Sequence, residues 1–222
     1  MKVIITGATG MVGKGVLLEC LDHPEVSQVL VIGRNSVGME HDKLNEVIHS
    51  DFSDFTPIRE QLIGYDACYC CMGVSAAGMS EEQYTKLTYT YTMELAKLLA
   101  SIDTNMTLTY VSGEGTDSSE KGRSMWARVK GKTENDLMKL GFKQSFMFRP
   151  GAIIPLRGIK SRTRLYQFIY DYFMWLVKLG KRLAPNSVVN TTEIGLAMIN
   201  ATRSGYEKQV VRPADILTLA NN

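Results

Sequence analysis

No apolar run in these 222 residues reaches the roughly 18 positions needed to cross a bilayer, so no transmembrane segment is expected. The chain opens Met1-Lys2-Val3-Ile4-Ile5 and meets Thr6-Gly7 at once, which leaves no room for the apolar core and cleavage site of a signal peptide. A cytoplasmic protein is therefore expected. Charge of one sign is also lacking: 25 Lys and Arg face 23 Asp and Glu, and a formal +2 gives no field that would draw nucleic acid or an anionic membrane. Cysteine is scarce, and three of the four (Cys68, Cys70 and Cys71, but not Cys20) crowd one apolar run, which argues against a disulfide framework. A Cys68-x-Cys70-Cys71 metal site would need further ligands, and His23, His41 and His49 show no metal spacing, so no metal is expected. Repeats and low-complexity linkers are missing too, leaving no sign of a second folding unit. Sequons at Asn105 and Asn190 carry little meaning in a cytoplasmic chain.

Short runs rich in Val, Ile and Tyr alternate with longer segments of helical period, the pattern of βαβ units feeding a parallel sheet. Strands are expected near 2–6, 28–33, 45–49, 66–72, 106–112 and 145–149, and helices at 11–22, 56–63, 80–101 and 124–140, with Gly141 as a helix stop. Residues 34–44 are too short and polar for a full crossover helix. The expected fold class is thus α/β, a Rossmann doubly wound parallel sheet with a small C-terminal helical cap, in one domain over 1–222. Residues 1–151 are expected to form the core of that domain and 152–222 the cap. Within the tail, an aromatic helix is expected from Tyr166 to Leu179, and a shorter one starting at Thr191 or Thr192 with Glu193 in its first turn.

The strongest chemical signal is Thr6-Gly7-Ala8-Thr9-Gly10-Met11-Val12-Gly13, directly after an apolar strand and directly before a helical pattern. In such a loop Gly7 allows the tight turn, Gly10 lets backbone approach a pyrophosphate, and Gly13 lets helix and strand pack closely. Amides at the helix start, from Thr9 through Met11 and Val12, then face the anion. Glycines also occur in ordinary strand-to-helix turns. Here the following elements stay in register, which favours dinucleotide binding.

About twenty residues past Gly13, where an NAD binder usually presents a carboxylate to the ribose, the chain reads Gly33-Arg34-Asn35-Ser36. A guanidinium pairs with a 2′-phosphate and offers nothing comparable to a bare hydroxyl, so NADP(H) is expected, with NAD(H) as the alternative. Ser36 can add a hydrogen bond. Read plainly, Arg34 is a solvated loop charge. Asp51-Phe52, after the third strand, are candidates for adenine contact, the Asp51 carboxylate accepting from the amino group; ordinary turn chemistry at an Asp explains them equally.

With Thr6–Gly13, Arg34, Asp51-Phe52, Cys70-Cys71-Met72-Gly73, Val111-Ser112-Gly113, Lys130 and Arg149-Pro150-Gly151 in view, the chain resembles the short-chain dehydrogenase/reductase superfamily. It is most similar to the atypical branch of NAD-dependent epimerase/dehydratase-like, Tat-interacting-oxidoreductase-like and NmrA-like proteins. The likeness covers residues 1–151 by motif and the tail by layout only. It implies that Cys71, Met72 and Gly73 run beside the nicotinamide half of the cofactor, and that Pro150 and Gly151 also border it; as plain structure, the cysteines are small core hydrophobes.

The resemblance further implies a site of Ser112 with a Tyr-x-x-x-Lys pair, whose spacing stacks the two side chains on one helix face. Lys130 matches, with a second reading as an exposed helix cation near Glu134. The tyrosine position, however, holds Trp126. A phenol titrates near ~10 and can be shifted, whereas an indole N–H only donates, so Trp126 cannot carry the proton. Glu114, Tyr84, Tyr89 and Tyr91 are candidate substitutes, each with an ordinary reading as an exposed loop or helix residue. Two functions stay open: hydride transfer or epimerase-like chemistry on an unknown small carbonyl or alcohol, and non-catalytic NADP(H) sensing. The aromatic helix reads as core or substrate lid, then as a homodimer face, then as a membrane-surface helix.

Overall fold

The computed structural model describes residues 1–159 and 187–222. In chain order these form β1 (Lys2–Thr6), α1 (Met11–Asp22), β2 (Gln28–Gly33), β3 (Leu44–Ile48), a 3₁₀ helix (Thr56–Leu62), β4 (Ala67–Cys70), α2 (Glu81–Thr85), a π-helical turn (Lys86–Thr90) and α3 (Tyr91–Ile102). Then follow β5 (Thr107–Val111), α4 (Met125–Leu137), β6 (Gln144–Phe148), β7 (Ala152–Ile154), β8 (Val188–Asn190), α5 (Thr191–Ser204), β9 (Val210–Val211) and α6 (Pro213–Ala220).

Seven strands pair in parallel in the order β3-β2-β1-β4-β5-β6-β9. A parallel sheet is covered on both faces, which is why its strands read as continuous apolar runs. Successive side chains then feed opposite cores. Val3, Ile5, Val29 and Val31 face Leu17, Ile194, Met198 and Ile216 of α1, α5 and α6. Ile4, Leu30, Ile32, Cys68 and Cys70 face Phe55, Leu62, Leu95, Leu99 and Leu137 on the other side. The strand order reverses between β1 and β4, the place at the carboxyl ends of the strands where sheets of this topology take their ligands.

The six expected strands lie within a residue or two of the observed ones, and 34–43 is a loop as expected. Two helices differ. The expected 56–63 helix is a 3₁₀ helix with Pro57 in its first turn. The expected 80–101 helix starts at a capping box on Ser80 and is interrupted by the π turn at Lys86–Thr90, where one extra residue enters the ladder.

The described part of the tail completes the layers as well as covering them. β9 pairs with β6 at the sheet edge, and β7 and β8 form their own parallel pair. The expected Thr191 helix exists, but its N-cap is Asn190: Asn190 Oδ1 accepts from Glu193 N at 2.8 Å and Glu193 Oε2 from Asn190 N at 2.7 Å. The expected aromatic helix Tyr166–Leu179, and with it the homodimer face, lies outside the described residues.

Candidate functional site

At the end of β1, Gly7 turns the chain with φ +73° and leaves no room for a side chain: a Cβ there would stand 2.5 Å from Cys71 O. A Cβ at Gly13 would stand 2.2 Å from Gly7 O, so helix and loop close on each other only without one. Gly10 N donates to Gly7 O at 2.9 Å, and Gly10 is the N-cap of α1. No side chain caps this end, and no acidic residue stands in its first turn. Amides of Met11, Val12 and Gly13, beside a half-buried Thr9, therefore form a cradle of N–H groups with the chemistry to take an anion, and no described residue fills it.

A cavity of about 280 Å³ runs from this cradle toward the second strand, lined by Ala8, Thr9, Gly10, Lys14, Leu18, Ser36, Val37, Arg157, Gly158 and Ile159. Arg34 is exposed, with no hydrogen bond or ion pair among the described residues. Ser36 is already engaged: its hydroxyl donates to Glu46 Oε1 at 2.8 Å and accepts from Gly38 N at 3.0 Å. Exposed Asp51 forms an Asx turn, accepting from the Ser53 hydroxyl and amide, and those bonds hold its carboxyl below the usual range. Phe52 is buried; its ring meets Phe55 edge-on at 5.2 Å and Tyr91 at 6.1 Å, so it faces core rather than crevice.

On the other side of the switch point, Cys71 is buried, its amide donating to Thr6 O at 3.2 Å, and burial pushes its thiol well up. Met72 is half-buried. A Cβ on exposed Gly73 would meet no described residue within 4 Å. Pro150 is buried and its carbonyl accepts from Glu114 N at 3.0 Å, while Gly151 is forced by Ser187 O, which a Cβ would approach to 2.5 Å.

Ser112 and Lys130 do come together, though through the Ser112 backbone. Lys130 Nζ donates to Ser112 O at 2.6 Å. The Ser112 hydroxyl points inward, donating to Glu134 Oε1 at 2.5 Å and lying 3.2 Å from Phe148 O. Glu134 is fully buried and forms an ion pair with buried Arg149, which also donates to Ser118 Oγ at 2.6 Å. Glu134 therefore belongs to the interior rather than to an exposed helix pair with Lys130. The half-buried Lys130 ammonium loses solvation, and its pKa falls to about 8 although Glu134 partly opposes the shift. Trp126 is half-buried over the loop, Cη2 lying 3.3 Å from where a Gly115 Cβ would stand.

The substitute proton donors are placed elsewhere. Tyr84 is fully buried. The Tyr89 hydroxyl donates to Asp136 at 3.0 Å, Tyr91 packs on Phe52, and Glu114 pairs with Arg212 at 2.6 Å. Sequence reasoning missed the Glu134–Arg149 pair and Lys14; Lys14 carried a signal, one helical turn past Gly10 on the loop-facing side. A larger cavity, about 500 Å³, opens at the amino ends of the strands, opposite the crevice, lined by Met1, Asp66, Asp103 and Lys143 among others. Among the described residues no three His, Cys, Asp or Glu gather as a metal site, and no helix is long and apolar enough to cross a membrane.

Residues 3–119 match the model of the NAD dependent epimerase/dehydratase family. HTATIP2 of Rattus norvegicus is 28% identical over 155 residues, which span 69% of this chain and 63% of that protein. FMP52 of Candida albicans is 27% identical over 236 residues, spanning 100% of this chain and 99% of that one. The fold is shared with WbmF of Bordetella bronchiseptica, solved with NAD+: TM-score 0.70, 14% identity, 99% of this chain and 77% of that. The cytoplasmic expectation is overturned, because the FMP52 proteins of Emericella nidulans, Aspergillus terreus and Candida albicans, which match 90%, 94% and 100% of this chain, are named mitochondrial.

Proposed function

Because this chain belongs to the NAD-dependent epimerase/dehydratase family, we propose that it binds NADP(H) in the crevice and acts through that binding, its conformation or partner affinity reporting cofactor occupancy. The observation that carries this reading is the inward Ser112 hydroxyl, bonded to buried Glu134 while an indole stands four residues before Lys130. A bound nicotinamide supplies hydride transfer, and the proton must come from the chain. Ser112 has its donor committed to Glu134, and Trp126 has no accessible deprotonated form.

The fit for a dinucleotide rests on the cradle of amides at Gly7, Gly10 and Gly13, on the side of Gly73 that no described residue covers, and on exposed Arg34, unpaired among the described residues, as partner for a 2′-phosphate. Cys71, Met72, Pro150 and Gly151 shape the nicotinamide end. Lys130 holds the cofactor ribose. By likeness to the FMP52 proteins, the compartment is the mitochondrion.

A second reading, oxidoreductase or epimerase-like turnover of a small carbonyl or alcohol, is favoured by Lys130: an ammonium with pKa about 8 exchanges protons near neutrality. Calorimetric titration with NADP+ and NAD+, followed by a screen for NADPH oxidation over carbonyls and nucleotide sugars, separates the two. Saturable NADP+ binding without turnover is expected. Steady oxidation of NADPH by any substrate in the screen would overturn the binding-only reading, and absence of binding by either dinucleotide would overturn both.

A further inference from the structure

The adenosine end of the crevice holds a cation that the sequence motif does not single out. Lys14 lies one helical turn past Gly10, half-buried, and lines the 280 Å³ cavity together with Thr9, Ser36, Val37 and Arg157. Its ammonium has three protons to donate, and its partner among the described residues is the Met39 thioether, Nζ to Sδ 3.2 Å. A thioether is a weak acceptor. The other cation of the lining, Arg157, is committed to Glu19 at 3.2 Å and Asp22 at 2.8 Å. The opposite wall is fixed by Glu46, which accepts from the Ser36 hydroxyl and the Val37 amide, each at 2.8 Å, so its charge is already met by two donors. Among the described residues no carboxylate lines the cavity itself.

The geometry points to Lys14 as a residue that selects the phosphorylated cofactor, its ammonium taking the adenosine 2′-phosphate from the helix side while Arg34 takes it from the strand side. This rests on the NADP(H) reading above. Position separates a 2′-phosphate role from a pyrophosphate role. The pyrophosphate belongs at the amides after Gly10, whereas the cavity continues from there to Ser36 and Val37, where the second strand ends and the ribose is held in this fold. An ammonium whose partner among the described residues is a thioether gains charge-assisted hydrogen bonds from a phosphate, and little from a neutral hydroxyl.

The test is the ratio of affinities for NADP+ and NAD+, measured by calorimetry on the full chain, with adenosine 2′,5′-bisphosphate and AMP as a cofactor-free second pair. Lys14→Met keeps the stem and removes the charge. It should weaken NADP+ and the bisphosphate by about tenfold or more, leaving NAD+ and AMP within about twofold, and Lys14→Arg should restore the ratio. Retained NAD+ affinity also shows that the variant is folded; Lys14→Gln serves if Met does not fold. An equal loss for both dinucleotides would assign Lys14 to the pyrophosphate and overturn the inference, as would an unchanged ratio. A wild-type chain that binds NAD+ as tightly as NADP+ would instead overturn the NADP(H) reading beneath it.

Discussion

Lys130 sits between a carbonyl oxygen, the ring of Tyr110 at 6.0 Å and the buried Glu134 carboxylate, and pH reads that environment. Its pKa falls from the usual 10.5 to about 8, chiefly through lost solvation. Between those values the unfolded chain keeps a proton that the folded chain has released, so stability contributed at this position rises with pH across the window. Below it the folded protein carries the full penalty of a poorly solvated ammonium. Lys130→Met is expected to gain on the wild type near pH ~7 and to lose that advantage toward pH ~10. Urea midpoints of both proteins across that range check this; a difference constant with pH would sink it. The neighbouring pair behaves differently. Removing one partner of a buried ion pair typically costs ~3–5 kcal/mol, so Glu134 and Arg149 are held in place, and a Ser112 hydroxyl rotated toward the crevice would leave Glu134 short of a donor.

Helix α5 packs along α1, the helix whose first turn forms the cradle, and its own start depends on the Asn190–Glu193 capping box. Asn190→Ala is expected to lower stability by about 1 kcal/mol in urea denaturation, and Asn190→Ser to keep most of it. An unchanged midpoint in Asn190→Ala would mean the cap adds nothing beyond water. This helix was legible from Thr191-Thr192-Glu193, off by one residue at the cap. Central strands were legible for a stronger reason: burial on both faces writes them as unbroken apolar runs, and Gly7 to Gly13 form a signal contained in one turn. β7, β8 and β9, of three, three and two residues, fall below any period that a sequence can display. Ser112 was legible as a position while its orientation was not, because the partners that turn it inward, Glu134 and Arg149, are 22 and 37 residues away and meet only in the folded chain.

At the scale of the molecule, the core on the α1 face is shared by the two ends of the chain. Val3, Ile5 and Leu17 from the first half are covered by Ile194, Met198, Ile199, Val211, Ile216 and Leu219 from the last 30 or so residues. Burying six such side chains contributes on the order of 10 kcal/mol. That is comparable with the ~5–15 kcal/mol by which a whole domain is stable. A tail that only covered a finished dinucleotide-binding core would be dispensable for folding, whereas a tail that supplies β9, α5 and α6 would not. We therefore expect a chain ended after residue 186 to lose cooperative thermal unfolding and, with it, any rise in melting temperature on adding NADP+, which the proposed binding would give the intact protein by mass action. A truncated chain that melted cooperatively and shifted upward with NADP+ would show that residues 1–186 form the folding unit and that the last strand and helices merely dress it.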